Sequence, residues 1–453
     1  MNATRIISVL SFVLAVHADA AVSYVNLNSP SPVSPYSSWA TAATNIQDAV
    51  NAASPGDLVL VTNGIYQTGG YNNSGSNRVN LNKTVVVQSI NGPAVTIVKG
   101  YQVPGTTNGP ASVRCAYVAS GATLAGFTLT GGSMSGNGGG VLCQSSSSIV
   151  SNCIITGNCA STLGGGSAFG WYKNCVISSN VCFYDGGGNY AGSFTNCLII
   201  GNSTQSEGGG AYYAGSFVNC TIVGNRAGDG AGVYAGVLKN CIVYYNNSTF
   251  GSNIFNTQAA TNCCTAPTNG MTACVSNPPL FVNLAGGDLR LQSSSPCINA
   301  GNNAFASGAD LDGRPRIVGA SVDIGAFEFQ GTNIAGFISW LAQYGLSTDG
   351  SADSADSDGD GANNYAEWRA GTIPTNPNSA LRLQAPAVTV SNATVTWQSV
   401  TNVTYYLQRG ANLSGSSIFS TIKSNVAGQA GTTSFTDTNS ILSGPRFYRV
   451  GVQ

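Results

Sequence analysis

One twelve-residue stretch has the sequence pattern of a calcium-binding loop. Residues 356–367 read DSDGDGANNYAE, with acids at the first, third, fifth and last positions and a glycine at the sixth. In such loops the carboxylates converge on one hard cation and the glycine allows a sharp turn. The predicted Ca²⁺ ligands are Asp356, Asp358, Asp360, the carbonyl of Ala362, Asn364 acting through a water, and Glu367. With a single loop we expect a structural role, and the alternative is a solvated acidic linker.

A second set of acids recurs at a constant spacing and forms what we call the acid row. Asp185, Glu207 and Asp229 lie 22 residues apart, each directly before a glycine phrase. If equivalent segments stack in register, the β-carbons of adjacent acids lie roughly 5 Å apart and those of alternate acids about twice that, separations compatible with paired-carboxylate hydrolysis of a glycan. The alternative is a row that keeps a repetitive surface soluble or binds calcium structurally. The lysines and arginines that a uronate lyase would need are scattered along the chain.

Composition narrows the possible functions. The 453 residues carry a net charge of -1 and only 8% charged residues, so the sequence offers no basic surface for nucleic acid. The only histidine, His17, lies in an N-terminal stretch, residues 1–20, that has the features of a signal peptide. The mature chain is therefore expected to lack an imidazole base or ligand. No later stretch is apolar for long enough to span a membrane, so we expect a secreted or cell-surface protein.

The spacing of the acid row belongs to a larger repeat. A phrase beginning Asn-Cys recurs with its cysteines 21 to 23 residues apart, and GGG or GAG recurs every 22 residues. Two columns with one period predict a parallel β-helix of about 22 residues and about three strands per coil. The cysteine column consists of Cys153, Cys175, Cys197, Cys220, Cys241 and Cys263.

Two columns of asparagine are expected at the corners of the coil, because asparagine tolerates a left-handed backbone better than most residues. Stacked amides also hydrogen-bond along the axis. The first column is Asn152, Asn174, Asn196, Asn219 and Asn240. The second is Asn158, Asn180, Asn202, Asn225 and Asn246.

Strand parity predicts which side chains fill the interior. A row of carboxylates is costly to bury, so the acid row is expected to face solvent. The tyrosines that follow the glycines would then face inward as a core stack, and a sugar-binding platform is the alternative. These tyrosines are Tyr190, Tyr212 and Tyr234. Beside the acids, a shallow floor for a polymer is expected at Gly187, Gly209 and Ala231.

The cysteine column is expected to consist of buried apolar residues rather than disulfides. Stacking side by side aims the Cβ atoms in one direction and not at each other. The better disulfide candidates lie at the end of the repeat and are Cys263, Cys264, Cys274 and Cys297.

Five segments make up the predicted organisation. Residues 1–20 are the signal peptide, 21–57 an N-terminal segment with a capping helix, 58–330 the β-helix with a terminal cap, 331–380 a helix with the calcium loop, and 381–453 a small β-sandwich. The capping helix is expected to begin with a capping box at Thr44–Gln47. The sandwich core is expected to contain Trp397, Tyr406, Phe435 and Tyr448.

Several phrases resemble a known family: SWATAATNIQDAVNAASPGDLVLVTNGIY near the N-terminus, GFTLTGG at 126, the Asn-Cys repeats, and SPCINAGNNAFASGADLDGRPRIVGASVDIGAFEF from 295. The chain is similar to pectin-lyase-like right-handed β-helix proteins that end in a choice-of-anchor Q motif. The calcium loop with its continuation WRAGTIPTNPNS resembles dockerin-like and thrombospondin type 3 repeats. Asn299 departs from the family's terminal phrase, which usually has an aspartate there.

The resemblance implies a mainly β fold and leaves the activity open, because this superfamily contains lyases, hydrolases and adhesins. We expect a monomeric protein that binds extracellular polysaccharide or cell-surface glycan, or that serves as a surface adhesin. The alternative is a polysaccharide lyase or glycoside hydrolase that uses the acid row.

Overall fold

The computed structural model describes residues 20–250, 253–268, 271–292, 294–318, 321–330, 335–348, 352, 355–389, 392–410, 419–438 and 446–452. All but the last residue of the predicted signal peptide lies outside these ranges. Within them, no helix is long and apolar enough to cross a membrane.

Four sheets wind along one axis and form a parallel β-helix, as predicted. Sheet I contains Val22–Val25, Leu58–Val61, Val86–Ser89, Thr123–Ala125, Ile149–Ser151, Trp171–Lys173, Ser193–Thr195, Ser216–Val218, Val237–Lys239 and Ala259–Thr261. Sheet II contains Gly64–Tyr66, Thr96–Lys99, Thr128–Thr130, Ile154–Thr156, Val176–Ser178, Leu198–Ile200, Thr221–Val223, Ile242–Tyr244 and Cys264–Thr265.

Two further sheets complete each coil. Sheet III contains Ser133–Met134, Cys159–Ala160, Val181–Cys182, Ser203–Thr204, Arg226–Ala227 and Asn247–Ser248. Sheet IV contains Tyr71–Asn72, Ser76–Leu81, Arg114–Val118, Val141–Cys143, Ser167–Ala168, Asn189–Tyr190, Ala211–Tyr212, Val233–Tyr234 and Ile254–Phe255. A complete coil therefore has four strands rather than the expected three. The difference is sheet III, whose two-residue strands carry no alternating pattern that could be read from sequence.

The first asparagine column turns the corner between sheets I and II. Its members have φ between 50° and 56°, the left-handed conformation that the sequence predicts. Their amides hydrogen-bond between coils, as from Asn196 Nδ2 to Asn174 Oδ1 at 2.8 Å.

The second asparagine column is a buried ladder between sheets II and III. Each amide donates from Nδ2 to Oδ1 of the asparagine in the next coil, at 3.0 Å from Asn158 to Asn180 and 2.9 Å from Asn180 to Asn202. The left-handed residue at this corner precedes the asparagine, as at Gly157 and Gly201. Buried amides are stable here because every donor has a partner.

The glycine phrases are turns between sheets III and IV. Gly186 and Gly208 have φ of 73° and 68°. A Cβ on Gly187 would lie 2.7 Å from the Ser203 backbone, and one on Gly188 would lie 3.1 Å from the Asn202 amide. The glycines thus allow the turn to pack directly on sheet III and on the buried ladder.

The interior of the β-helix is one apolar core that includes the cysteine column. Sheet I adds a buried ring stack, with centroids 5.1 Å apart between Tyr172 and Phe194 and 4.9 Å apart between Phe194 and Phe217. All thirteen cysteines are free in the structure. Burial raises the pKa of Cys143 to about 12, so this interior thiol stays protonated.

Helix α1, Ile46–Ala52, covers the N-terminal end of the core. Its buried face includes Ile46, Ala49 and Val50. The predicted capping box is wrong. Asn45 is the N-cap, accepting from Asp48 N at 2.8 Å, because Gln47 instead hydrogen-bonds the backbone of Asn80. Strand Val22–Val25 already pairs with Leu58–Val61 in sheet I, so the first coil begins before residue 58.

Residues 281–292, 294–318 and 321–329, which we call the lateral segment, lie along the outer face of sheet II. The segment begins with an antiparallel pair, Phe281–Asn283 and Asp288–Leu291, and includes a 3₁₀ turn at Asn303–Phe305. It follows the corner asparagines, accepting from Asn219 Nδ2 at Phe305 O (2.8 Å). The terminal cap expected at the end of the stack is therefore a cover along its side.

The described part of the C-terminal region contains two short helices and two small sheets. Helix α2, Ala335–Gln343, packs on helix α3, Asn364–Ala370. One antiparallel sheet contains Ala387–Val388, Ala393–Ser399 and Gly431–Asp437. The other contains Thr404–Gly410, Phe419–Ala427 and Phe447–Val452. Their shared core holds Trp397 and Tyr405, whereas Tyr406 is only half-buried, so the expected core position is one residue off.

Candidate functional site

A row of aromatic side chains lies on the outer face of sheet IV. In its strands Asn189, Ala211 and Val233 are buried and face the interior, whereas the following residues are tyrosines that are only partly buried. The expectation that Tyr190, Tyr212 and Tyr234 form a core stack is therefore wrong. Gly188 and Asn189 both face the interior, so the turn resets the alternation that was counted from the last glycine.

The rings of this row contact one another from coil to coil. Centroids are 6.0 Å apart between Tyr190 and Tyr212, 5.1 Å between Tyr212 and Tyr234, and 5.2 Å between Tyr234 and Phe255. Tyr213 packs edge-on against Tyr212 at 4.6 Å and is 54% exposed. We call these five residues the outer aromatic row.

The acid row runs beside the outer aromatic row, as the repeat predicts. Glu207 and Asp229 are bridge partners in adjacent coils, and Glu207 N donates to Asp185 Oδ1 at 3.1 Å. The three side chains are half-buried. Parallel stacking thus brings together acids that lie 22 residues apart in the chain.

The two rows are electrostatically linked. The pKa of Tyr212 is raised by burial first and then by Asp185 and Glu207. The pKa of Tyr234 is raised by burial and then by Glu207, whose carboxylate interacts with both hydroxyls. The face therefore combines ring surfaces with acceptors for hydroxyl groups.

Three of the scattered basic residues lie away from the outer aromatic row. Lys173 Nζ sits 3.5 Å from the ring centroid of Trp171 on sheet I, and Lys239 Nζ sits 4.8 Å from that of Phe305. Arg226 is exposed on sheet III, where it lines a cleft of about 420 Å³ together with Phe183.

The floor expected at Gly187, Gly209 and Ala231 is not on the surface. A Cβ on Gly187 or Gly209 would meet the backbone of Ser203 or Arg226 within 2.8 Å, and Ala231 is fully buried. These positions pack inward, whereas the outer aromatic row is an accessible surface beside the acids.

A second candidate site is the acidic loop before helix α3. One carboxylate oxygen from each of Asp356, Asp358 and Asp360 lies within 4.8 Å of the others. In the described part of the chain this is the only such group of three or more His, Cys, Asp or Glu, so the acid row is not one. Gly359 N and Gly361 N donate to Asp356 at 2.8 and 2.9 Å and fix the turn.

The chemistry of this loop fits a hard divalent cation. Asp358 Oδ2, Asp360 Oδ2 and Glu367 Oε2 are buried and accept no hydrogen bond. Burial, followed by Asp358 and Asp360, raises the pKa of Glu367 to about 8. Buried carboxylate oxygens without donors are costly unless a cation or proton neutralises them.

Sequence reasoning placed the other two ligands in this loop and missed the role of Asn363. The carbonyl of Ala362 lies in the turn, and Asn364 is buried with its Oδ1 unbonded and its Nδ2 donating to Ala352 O at 2.6 Å. Asn363, which replaces the usual apolar residue, caps helix α3 by accepting from Ala366 N at 2.8 Å. The position of Asn363 directly before the helix that follows the loop could have indicated this capping role.

Comparison with known proteins gives likenesses to solved structures only. No family model matches the chain, and no curated protein matches it. The crystal structure of pectate lyase Pel9A is similar over 69% of this chain and 97% of that chain, with 17% identity and a TM-score of 0.44. The choice-of-anchor Q and dockerin-like resemblances rest on the sequence motifs alone.

Proposed function

We propose that this protein is exported and binds an extended extracellular polysaccharide along the outer aromatic row. The observation that carries the proposal is the outward position of Tyr190, Tyr212 and Tyr234, which stack from coil to coil and stay partly exposed. The parallel β-helix fold is consistent with polysaccharide binding or degradation.

The physical match is between a row of rings and a chain of sugars. Aromatic side chains bury a large area at low entropic cost and keep a polar edge, which suits a ligand with apolar faces and hydroxyl rims. Contiguous exposed apolar surface with a polar border marks an interaction site. Here the border is the acid row, whose carboxylates can accept hydrogen bonds from hydroxyl groups.

Affinity electrophoresis in gels containing a neutral polysaccharide tests this proposal. We expect the protein to be retarded and Tyr212→Ala to remove most of the retardation. Tyr101→Ala is the matched control, because Tyr101 is 42% exposed but lies outside the row. Unchanged retardation of the Tyr212→Ala protein, or equal loss in the control, would contradict binding at this face.

The adjacency of the acid row supports one alternative, hydrolysis or lyase cleavage of the bound glycan. In that case the protein releases reducing or unsaturated sugars, and Asp185→Ala or Glu207→Ala abolishes release. Retardation without product supports a binding protein.

We also propose that Ca²⁺ binds at the loop of residues 356–367 and acts as a structural clip. Asp356, Asp358, Asp360 and Glu367 would hold it through carboxylate oxygens, with the Ala362 carbonyl and, through a water, Asn364. Calorimetric titration with Ca²⁺ should give one site that Asp358→Asn weakens at least about tenfold. Asp229→Asn is the control and should bind normally. Equal affinity in the Asp358→Asn protein would refute the assignment.

A further inference from the structure

Four cysteines at the end of the repeat meet in two pairs, and the pairs differ in geometry. Cys263 faces the interior of the β-helix, whereas the next residue, Cys264, faces outward under the lateral segment. Cys274 contacts Cys263 through its sulfur, and Cys297 lies in the same buried cluster as Cys264. Whether each pair can form a disulfide therefore depends on the elements that carry its two cysteines and on the direction of their side chains.

The first pair continues the cysteine column. Bridges from Thr261 to Thr272 and from Cys264 to Val275 set Cys274 one rung beyond Cys263. Cys263 N donates to Cys274 Sγ at 3.3 Å, the same contact that Cys175 N makes with Cys197 Sγ at 3.4 Å. Side chains in this register point the same way, which is unfavourable for a disulfide.

The two cysteines of the second pair belong to different elements that pack on each other. Cys264 stands on the outer side of sheet II in register with Ile242, and Cys297 comes from the lateral segment that covers it. Both residues are fully buried in one apolar cluster. The pKa of Cys264 is raised first by its side-chain interaction with Cys297 and then by burial.

We propose that Cys264 and Cys297 form a disulfide that fixes the lateral segment on sheet II. The oxidant is a disulfide-bearing thiol carrier or small-molecule disulfide, met before the cysteines are buried. One cysteine thiolate attacks the donor disulfide and releases one thiol. The other then attacks this mixed disulfide, forms the Cys264–Cys297 bond and releases the second thiol, so two thiols of the chain are oxidised and one donor disulfide is reduced.

The proposed bond is independent of glycan binding, because it lies under the cover of sheet II and not on sheet IV. It closes a loop of roughly thirty residues, and closure of such a loop restricts the unfolded chain. The lateral segment would then stay attached to sheet II even while its hydrogen bonds open locally.

Mass spectrometry of the full chain, exported into an oxidising compartment and alkylated after denaturation, tests the proposal. Before reduction we expect two fewer alkylated thiols than the thirteen cysteines of the sequence. After proteolysis we expect one cross-linked peptide pair that contains Cys264 and Cys297. Full alkylation without reduction, or a link through Cys263 or Cys274, would overturn it.

Thermal unfolding gives a second readout. Cys264→Ser and Cys297→Ser should each lower the Tm by several degrees, and the double variant should lower it no further, because one bond is lost in all three. Reduction should lower the Tm of the wild type and not that of these variants. Cys274→Ser is the matched control and should retain the cross-linked peptide; additive losses in the double variant would contradict a shared bond.

Discussion

The outer faces of sheets II and IV belong to the same coils but differ in whether the lateral segment covers them. Sheet II presents aliphatic side chains such as Leu198, Val223 and Ile242, and the chain returns to cover them with the lateral segment. Sheet IV presents tyrosines bordered by acids, and within the described part of the chain these rings stay partly exposed. In this protein the purely apolar side chains on sheet II are covered by the chain itself, whereas the tyrosine rings on sheet IV, which have a polar hydroxyl, remain available to a partner.

Truncating one residue on each face should give the largest difference in stability between the covered face of sheet II and the exposed face of sheet IV. Ile242→Ala should lower the free energy of unfolding by about 2–5 kcal/mol, because it leaves a cavity under the cover. Tyr212→Ala should lower it by about 1 kcal/mol or less, because the ring is partly solvated. Urea denaturation measures both, and similar losses would remove the distinction between a covered and an open face.

Displacing the lateral segment from sheet II should have the next largest effect on the free energy of unfolding. Gly325 has φ of 112°, and a Cβ there would lie 2.7 Å from Ile242 Cδ1. Gly325→Ala should therefore destabilise the protein by about 3 kcal/mol through backbone strain and overpacking.

Gly313→Ala is the matched control for Gly325→Ala. Gly313 has φ of 79° and no neighbour within 4 Å of the added atom. It should cost about 1 kcal/mol, the strain alone. Equal losses in urea denaturation would show that the contact with sheet II adds nothing.

The cover should also make stability depend on pH. Burial raises the pKa of Glu328 to about 7 and that of Asp310 to about 6. Because these values exceed those of the unfolded chain, the stabilisation from bound protons is complete below about pH 4 and is lost as pH rises through 7. We expect the free energy of unfolding at saturating Ca²⁺ to fall between pH 4 and about 7.5.

Denaturation across this pH range, with Glu328→Gln as the comparison, checks the assignment. The variant removes one titrating group and should show a shallower fall. A free energy of unfolding that rises with pH would mean that the buried acids do not control the cover.

The smallest expected effect is on sheet IV. Glu207→Gln should change the free energy of unfolding by less than about 0.5 kcal/mol, because its side chain is half-exposed. It should nevertheless lower the pKa values of Tyr212 and Tyr234, which the carboxylate helps to raise. Spectrophotometric titration of the phenols measures this, and an unchanged titration would place Glu207 away from the outer aromatic row.

The sequence predicted the repeat-based features well because stacking turns sequence spacing into spatial contact. The acid row, the interior cysteines and the left-handed corner asparagines are all where a 22-residue register puts them. The orientation of Tyr212 was wrong because the glycine turn interrupts the strand, and alternation cannot be counted through a turn.

The lateral position of residues after Phe281 was also out of reach of sequence. Nothing in an aliphatic residue such as Ile242 tells whether it faces the interior or a cover, since both are apolar. The signal lay in sheet II itself, where three consecutive apolar residues, as in Leu198–Ile200, indicate burial on both faces.

The buried asparagine ladder gives the molecule a direction. Each asparagine of the second column donates from Nδ2 both to a backbone carbonyl earlier in the chain and to an amide oxygen later in the chain, as Asn158 does to Leu129 O and Asn180 Oδ1. At the C-terminal end Asn246 donates to Asn253 Oδ1, and Asn253 donates to Ala266 O at 3.1 Å instead of to another amide. A whole coil can therefore be duplicated or removed in the middle of the ladder without leaving an amide donor unmatched. Loss of the terminal acceptor, by contrast, leaves the last amide of the ladder without an acceptor. Growth and shortening of this protein over evolution should accordingly proceed by entire internal turns, with both ends held constant.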